Sequence, residues 1–413
     1  MPPEPLRFLI IGAGPAGTAA ATNAAAQGAE VTLVERSVVG GAAHLWDCIP
    51  SKTMTATAVR IDSMRNAPRL GLVAAPGSVD SVQLANRIST ISGDINRSWE
   101  GLLKSQRVEI MSGSARLIGP NEAVVDDAQK IRFDRCLIST GSDPRVPDWA
   151  SVDGKRVLTT RDVYGLAEVP EKMVVIGSGV TGVEFVHIFE SLGSEVSLVV
   201  SRQQILPHRD PEVAAVLEEN FLASGVRLVI GARAVGIDVS AEGVEVRCDD
   251  GRVVAGTHAL LAIGSVPNTA GLGLEEVGVA LDGGFIQVDE YQRSSLGHIY
   301  AAGDCTGQML LSSVAAMQGR KIARHALGLP VIPIDYSKVA QAIFTEPEIA
   351  SVGLEEADAA AQGRKVRTTK VPFAANARAV LQGNPQGFVK VMSDPATGVI
   401  LGGSIVGHRA SEL

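Results

Sequence analysis

Two glycine-rich segments, each placed directly after a short apolar run, constrain the fold of this 413-residue chain more than any other feature. The first segment is Gly12-Ala13-Gly14-Pro15-Ala16-Gly17, which follows the apolar run 6–11. After it come an alanine-rich stretch that ends at Gly28 and a second predicted strand, EVTLVE, at 30–35. Short apolar runs are typical of parallel strands buried on both faces. The segment therefore predicts a strand–loop–helix–strand unit.

This first loop indicates an adenine-dinucleotide site. In such units the first glycine permits the turn, the second lets a pyrophosphate approach the backbone, and the third lets the helix pack on the strand. Here these are Gly12, Gly14 and Gly17. Glu35 ends the second predicted strand, where a carboxylate can accept hydrogen bonds from ribose hydroxyls. The alternative is a turn that only permits close packing.

The same pattern returns 165 residues later, with glycines at Gly177, Gly179 and Gly182 between predicted strands at 173–176 and 195–200. This interval is too long for a solenoid repeat. The duplication therefore predicts two separate nucleotide-binding domains.

The second loop lacks the acidic residue of the first. The position that corresponds to Glu35 is Val200, and Ser201 and Arg202 follow it. A guanidinium can pair with a 2′-phosphate, which a carboxylate would repel. NADPH is therefore the expected donor, alone or together with NADH, with His208 or Arg209 as additional phosphate partners. The alternative is that Arg202 is a solvated loop charge.

Composition excludes several classes of protein. A net charge of −8 and a pI near 5.5 argue against a general nucleic-acid binder. No apolar run approaches the roughly 18 residues of a membrane span, and the N-terminus lacks the basic region of a signal peptide. The four cysteines show no metal-ligand spacing, so no metal site is expected. We expect a cytoplasmic, multi-domain α/β protein.

Two further patterns predict local structure. Segment 81–106 predicts an amphipathic helix whose apolar stripe faces the core, formed by Leu84, Ile88, Ile91, Ile95 and Leu102. Shorter runs with strand character, at 365–371 and 387–392, predict an α+β domain near the C-terminus. The charged stretch Glu355, Glu356 and Asp358 is expected on a solvated helix face.

Several short motifs follow the first loop in a specific order: GG…CIPSK, TGS at 140–142, AIGSVPN at 262–268, AAGD at 301–304 and FTEPEIASVG at 344–353. Together they resemble the class I flavoprotein pyridine nucleotide–disulfide oxidoreductases, the lipoamide dehydrogenase and glutathione reductase family. The resemblance covers essentially the whole chain. It implies two Rossmann-like domains and a C-terminal dimerisation domain, with FAD bound by 1–148 and 268–335, NAD(P)H bound by 149–267, and dimerisation through 336–413.

The resemblance also implies roles for individual residues. It assigns the first loop and Glu35 to the adenosine half of FAD and Asp304 to the ribityl chain, and it makes Gly141 and Gly264 further cofactor-binding positions. Lys52, the last residue of CIPSK, and Glu184 resemble an ion pair near the reactive edge of the flavin. Such a pair would stabilise negative charge on the reduced ring. The alternative for Lys52 is a surface lysine.

One motif departs from the family. Disulfide-reducing members carry C-x-x-x-x-C, and alignment of CIPSK places Cys48 at the second, flavin-side cysteine. Ala43 stands where the attacking cysteine would be. Disulfide exchange requires attack by a thiolate and then resolution, so dithiol chemistry is not expected. Cys48 is a candidate to act beside the flavin or only to pack against it, and Cys305 is expected to be structural.

The pattern as a whole most resembles lipoamide dehydrogenase-like NAD(P)H:quinone reductases. It implies transfer of two electrons from NAD(P)H through FAD to a quinone or redox dye, in a homodimer. The alternatives are a soluble NAD(P) transhydrogenase, a lipoamide dehydrogenase-type disulfide reductase, and an FAD-holding redox sensor with little turnover. By comparison with the family, the dimerisation domain is expected to be incomplete and to lack the terminal His–Glu pair.

Overall fold

The structure is a computed structural model that describes residues 4–73, 75 and 77–413, so residues 1–3, 74 and 76 of the expected FAD-binding segment lie outside it. Contacts divide the chain into two units. The first comprises the chain up to Pro50, Ile88–Asp143 and Ser265–Tyr336, and the second comprises Ser51–Arg87, Pro144–Gly264 and Ser337–Leu413.

The first unit is built on a five-stranded parallel sheet with the order Ile299–Ala301, Arg135–Ile138, Arg7–Ile11, Glu30–Glu35 and Glu109–Ser112. Alternate residues of the strand after Arg7 point to opposite faces of the sheet. Phe8 and Ile10 join one core cluster, while Leu9 and Ile11 join another. A strand buried on both faces must be apolar throughout, and this confirms the prediction from the apolar run.

Helix Pro15–Ala26, with its small residues, packs closely on helix Ser312–Ala326. A Cβ on Gly319 would lie 2.1 Å from the Ala16 carbonyl oxygen, so the two backbones approach closely.

Further elements lie in the N-terminal two-thirds of the chain. The helices are Ala42–Leu45, Cys48–Asn66, Ser81–Ser105 and Leu274–Val277. The antiparallel strands Ala115–Gly119, Glu122–Val125 and Gln129–Arg132 form a separate sheet, and the short strands are Ser142–Pro144, Ser265–Pro267, Leu281–Asp282 and Phe285–Ile286.

The long helix Ser81–Ser105 forms where it was predicted, but its predicted apolar stripe is partly wrong. Ile88 is buried, whereas Leu102 is 43% exposed and the neighbouring Leu103 lies in the core. Leu103 lies in the core of the first unit, and Trp99, four residues before it, packs against the same core, whereas the buried Ile88 does not belong to this cluster. Which face of the helix meets the core is therefore decided at each turn by the elements packed against it.

The second unit repeats the first topology. Its parallel sheet has the order Arg227–Ile230, Glu195–Val200, Lys172–Ile176, His258–Leu261 and Val157–Thr159. Helices Val180–Leu192 and Pro211–Ala223 and an antiparallel sheet of Ala234–Val239, Val244–Cys248 and Val253–Gly256 accompany it. The duplicated sheets confirm the predicted α/β class with two Rossmann-like folds.

The C-terminal part of the second unit is a five-stranded antiparallel sheet with the order Gln341–Ile343, Glu348–Gly353, Ile400–Gly407, Phe388–Ser393 and Arg367–Pro372. Helices Glu356–Ala361 and Ala377–Leu381 complete it. The strands expected near 365–371 and 387–392 are both present. Among the described helices, none has the length and hydrophobicity needed to cross a membrane.

Candidate active site

The three glycines of the first loop meet different surroundings. A Cβ on Gly12 would lie 2.4 Å from the Ser139 carbonyl oxygen, and one on Gly17 would lie 1.9 Å from the Gly12 carbonyl oxygen. Both positions therefore exclude any side chain. Gly14 faces open space and is the N-cap of helix Pro15–Ala26, whose first N–H groups lack helical partners. The geometry fits a pyrophosphate that approaches at Gly14.

Glu35 lies at the end of its strand, beside this loop. Its carboxylate accepts hydrogen bonds from the Ala13 N–H at 2.7 Å and from the Ser37 N–H at 2.8 Å. These contacts hold the side chain against the loop. Its position fits a carboxylate that accepts hydrogen bonds from a ribose.

Asp304 follows the strand Ile299–Ala301, in the same unit as the first loop. Ser142 Oγ donates to Asp304 Oδ2 at 2.9 Å. Burial raises the pKa of this carboxyl group, and the Ser142 hydrogen bond opposes the shift only in part. A half-buried carboxylate with spare acceptor capacity fits a ligand rich in hydroxyl groups, such as a ribityl chain. Gly141 precedes Ser142, and its carbonyl accepts the Asn268 N–H at 3.0 Å.

The second loop reproduces the first in atomic detail. A Cβ on Gly177 would lie 2.3 Å from the Ala262 carbonyl oxygen, and one on Gly182 would lie 1.8 Å from the Gly177 carbonyl oxygen. Gly179 faces open space and caps helix Val180–Leu192. Both loops therefore have the shape that a dinucleotide requires.

Val200, at the end of the adjacent strand, is fully buried and has no acidic group to offer a ribose. Ser201 and Arg202 are exposed at the start of the loop that follows. Within the part of the chain that the structure describes, Arg202 forms no ion pair. Arg209 was a wrong candidate for phosphate binding, because its guanidinium is already paired with Glu355 at 3.2 Å.

The lysine–glutamate pair expected from the resemblance forms within the second unit. Lys52 Nζ lies 2.7 Å from Glu184 Oε2, and the two side chains are 38% and 8% exposed. Glu184 Oε1 also accepts the Phe344 backbone N–H at 2.9 Å. The Phe344 ring lies beneath the lysine, with its centroid 4.9 Å from Nζ. Glu184 is therefore held from two sides, and the ammonium remains partly open to solvent.

In the sequence, Phe344 is marked only as the first residue of the motif FTEPEIASVG. Its backbone N–H makes the second contact to Glu184. Any residue type except proline can make such a contact, so the sequence alone does not indicate it. Gly264, predicted from a motif, lies between strands His258–Leu261 and Ser265–Pro267.

The four thiols differ in environment. Cys48 begins helix Cys48–Asn66, one turn before Lys52, and is half-buried. Burial raises the pKa of Cys136, Cys248 and Cys305, the last to about 11. Cys305 is fully buried, and its Sγ donates to the Ala302 carbonyl oxygen at 3.3 Å. In the altered motif, His44 Nδ1 lies 2.8 Å from Asn96 Oδ1.

Two dinucleotide loops on duplicated parallel sheets, together with a half-buried lysine–glutamate pair, define an oxidoreductase with two nucleotide sites. The chain belongs to the pyridine nucleotide-disulphide oxidoreductase family: the family model matches residues 6–319, and the model of its dimerisation domain matches residues 339–413. Members of this family use FAD and NAD(P)H. The assignment to a flavoprotein oxidoreductase is thereby confirmed.

Named relatives fall into two groups. An NAD(P)H dehydrogenase (quinone) from Mycobacterium tuberculosis is 41% identical over 98% of this chain and 86% of its own length. A dihydrolipoyl dehydrogenase from Chlamydia muridarum is 36% identical over 99% of this chain and 89% of its own length. The crystal structure of LpdA from M. tuberculosis superimposes with a TM-score of 0.93 at 42% identity, covering 98% of this chain and 91% of that one.

Proposed function

We propose that this protein transfers two electrons from NAD(P)H to a quinone-type acceptor without a redox-active disulfide. The observation that supports the absence of a redox-active disulfide is the environment of the cysteine thiols. Ala43 cannot attack a disulfide, and burial disfavours the thiolate at Cys136, Cys248 and Cys305. Exchange requires an accessible thiolate. Only Cys48, half-buried at a helix start, is left for such chemistry.

In this proposal the two glycine loops and Glu35 bind the cofactors and fix their orientation. FAD, when bound, supplies a carrier that takes up two electrons from the nicotinamide and passes them on. The ammonium of Lys52 stabilises negative charge that develops at the reacting centre. Glu184 holds the Lys52 ammonium in place, and the Phe344 N–H fixes the carboxylate. The name of the 41% identical relative supports the quinone as acceptor.

For the electron donor, we propose NADPH, recognised through Ser201 and Arg202. The absence of a carboxylate at Val200 removes the repulsion that a 2′-phosphate would meet. The exposed guanidinium of Arg202 is available to pair with that phosphate. NADH stays a possible second donor.

A panel of acceptors tests the proposed reaction. Oxidation of NADPH is followed at 340 nm with menadione, a redox dye, lipoamide or thio-NAD, after the bound flavin has been confirmed by its absorption spectrum. Turnover with menadione or the dye is expected, and lipoamide is expected to be inert. Lipoamide-dependent turnover would contradict the proposal and support a disulfide reductase. Turnover only with thio-NAD would support a transhydrogenase, and flavin that is reduced without turnover would support a sensor.

The dimerisation-domain match supports a homodimer, which light scattering after size-exclusion chromatography can test. The predicted assignment of FAD to 1–148 and 268–335 and of NAD(P)H to 149–267 is part of the same proposal. The cytoplasmic location stays a prediction.

A further inference from the structure

The loop formed by residues 201–210 connects strand Glu195–Val200 to helix Pro211–Ala223 and begins with the residues proposed to bind the 2′-phosphate. Its middle contacts the second glycine loop: the Leu206 N–H donates to the Ser178 carbonyl oxygen at 2.8 Å. Leu206 is buried and has a φ of +48°, a left-handed conformation that a leucine rarely adopts. Its surroundings must therefore hold loop 201–210 in place.

The first of these restraints is Arg209, near the end of the loop. Its guanidinium donates to Ser351 Oγ at 3.0 Å, to Glu355 Oε1 at 3.2 Å and to Gln341 Oε1. The Arg209 and Glu355 side chains are only 17% and 12% exposed. Glu355 is also the N-cap of helix Glu356–Ala361. The expected solvated face is therefore present at Glu356 and Asp358, which are exposed, but was wrong for Glu355, because its carboxylate faces the half-buried Arg209.

The second restraint is the ion pair between Lys390 and Asp210, which are 2% and 4% exposed. The Lys390 Nζ–Asp210 Oδ2 distance is 2.6 Å, and the ammonium also contacts Glu212 at 2.5 Å and Glu356 at 3.0 Å. Burial alone would lower the pKa of Lys390, but hydrogen bonds to the three carboxylates outweigh burial and raise it. The three carboxylates could together hold a metal ion, and the lysine occupies that place.

Asp210 therefore has two roles. Its Oδ1 accepts the Glu212 N–H at 2.9 Å and so caps helix Pro211–Ala223, while its other oxygen binds Lys390. The end of loop 201–210 is thus fixed both to its own helix and to strand Phe388–Ser393.

We infer that Lys390 and Arg209 are positioning residues for nucleotide binding. Their ion pairs and hydrogen bonds connect loop 201–210 to the C-terminal antiparallel sheet, and the loop in turn places Arg202 and supports the second glycine loop through Leu206. The expected effect of Lys390 and Arg209 on 2′-phosphate binding rests on the proposed role of Arg202. Their expected effect on the position of loop 201–210 does not depend on that role.

The test compares Lys390→Met with Lys370→Met in the full-length, FAD-loaded protein. Lys370 is a matched control, since it also pairs with Glu212, at 2.7 Å, but is 40% exposed and touches neither Asp210 nor Arg209. Hydrogen–deuterium exchange is measured on peptides that cover loop 201–210, without nucleotide. Exchange at the Leu206 amide is expected to accelerate at least tenfold in Lys390→Met and to stay unchanged in Lys370→Met.

Calorimetry with 2′,5′-ADP and 5′-AMP then separates positioning from general stability. Lys390→Met is expected to weaken 2′,5′-ADP by about tenfold and 5′-AMP by much less. In steady state, KM for NADPH rises while kcat stays within about twofold. A folded Lys390→Met protein with unchanged exchange and unchanged affinity would overturn the inference.

If Lys390→Met fails to fold, Arg209→Gln decides by the same two measurements, because it removes only the other restraint. Accelerated exchange supports the inference, and unchanged exchange overturns it. If the wild-type protein shows no preference for 2′,5′-ADP over 5′-AMP, the proposed role of Arg202 fails. The exchange experiment still decides whether the loop is held from the C-terminal sheet.

Discussion

Replacement of Arg202 by alanine is expected to lower the preference for NADPH over NADH, measured as the ratio of the two kcat/KM values. Arg202 is exposed, so the dielectric constant of water applies to its contact with a phosphate. A unit charge pair at about 4 Å is then worth about 1 kcal/mol. A phosphate monoester carries a charge of about −1.5 to −2. The ratio should therefore fall roughly 10- to 30-fold.

The assay is steady-state oxidation of each nicotinamide cofactor with menadione, at low ionic strength. The effect should shrink in about 1 M salt, where the Debye length is only about 3 Å. Arg227→Ala is the matched control, because Arg227 is also an exposed arginine in this sheet region. Arg227 is the first residue of strand Arg227–Ile230, whereas Arg202 follows the end of the parallel strand Glu195–Val200. The two arginines therefore lie at opposite edges of the sheet. A ratio that changes less than about twofold in Arg202→Ala, or that falls equally in Arg227→Ala, would refute the reasoning.

Three further results are expected. Lys52→Met should slow reduction of the bound flavin by NADPH by roughly 10²-fold, measured by stopped-flow absorbance at 450 nm. Glu184→Gln should slow this reduction less, because the lysine charge remains. An unchanged rate in Lys52→Met would show that Lys52 is only a surface lysine. Gly182→Ala should lower the yield of folded protein, because its Cβ would lie 1.8 Å from a backbone oxygen. Gly179 faces open space, so Gly179→Ala should fold normally and bind nucleotide more weakly in calorimetry. Equal stability of the two variants would contradict this prediction. Burial lowers the pKa of His187, so the unfolded chain binds a proton at this residue more readily than the folded protein does. The free energy of unfolding in urea should therefore fall as the pH drops below about 6.5. This decrease should be smaller in His187→Gln.

Much of the local structure could be predicted from the sequence. The strands Glu30–Glu35 and Glu195–Val200 both have the predicted bounds. These elements depend on apolar periodicity and on glycine positions, which are properties of neighbouring residues. The same kind of reasoning failed at Leu102, because the face of a helix that meets the core depends on the elements packed against it, and here they contact Leu103.

The site was harder to predict. Lys52 and Glu184 are 132 positions apart, and no spacing rule connects them. Only the resemblance to a family paired them, and the structure then placed them 2.7 Å apart. The sequence did contain one unused signal: Lys390 lies in phase with the buried Phe388 and Met392 along its strand. A charged residue at an apolar phase indicates a buried ion pair.

The sequence by itself determined the two glycine loops, since the steric need for glycine at Gly12 and Gly17 is local to a strand–loop–helix unit. It also determined that Ala43 and Val200 cannot supply a thiol or a carboxylate, because residue type alone decides this. Only the tertiary structure decided that Arg209 faces Glu355, and is not free for a nucleotide, and that Lys390 holds Asp210. Charged side chains look alike in a sequence, and whether they bind ligand, water or each other depends on which residues the fold brings within hydrogen-bonding distance and excludes from solvent.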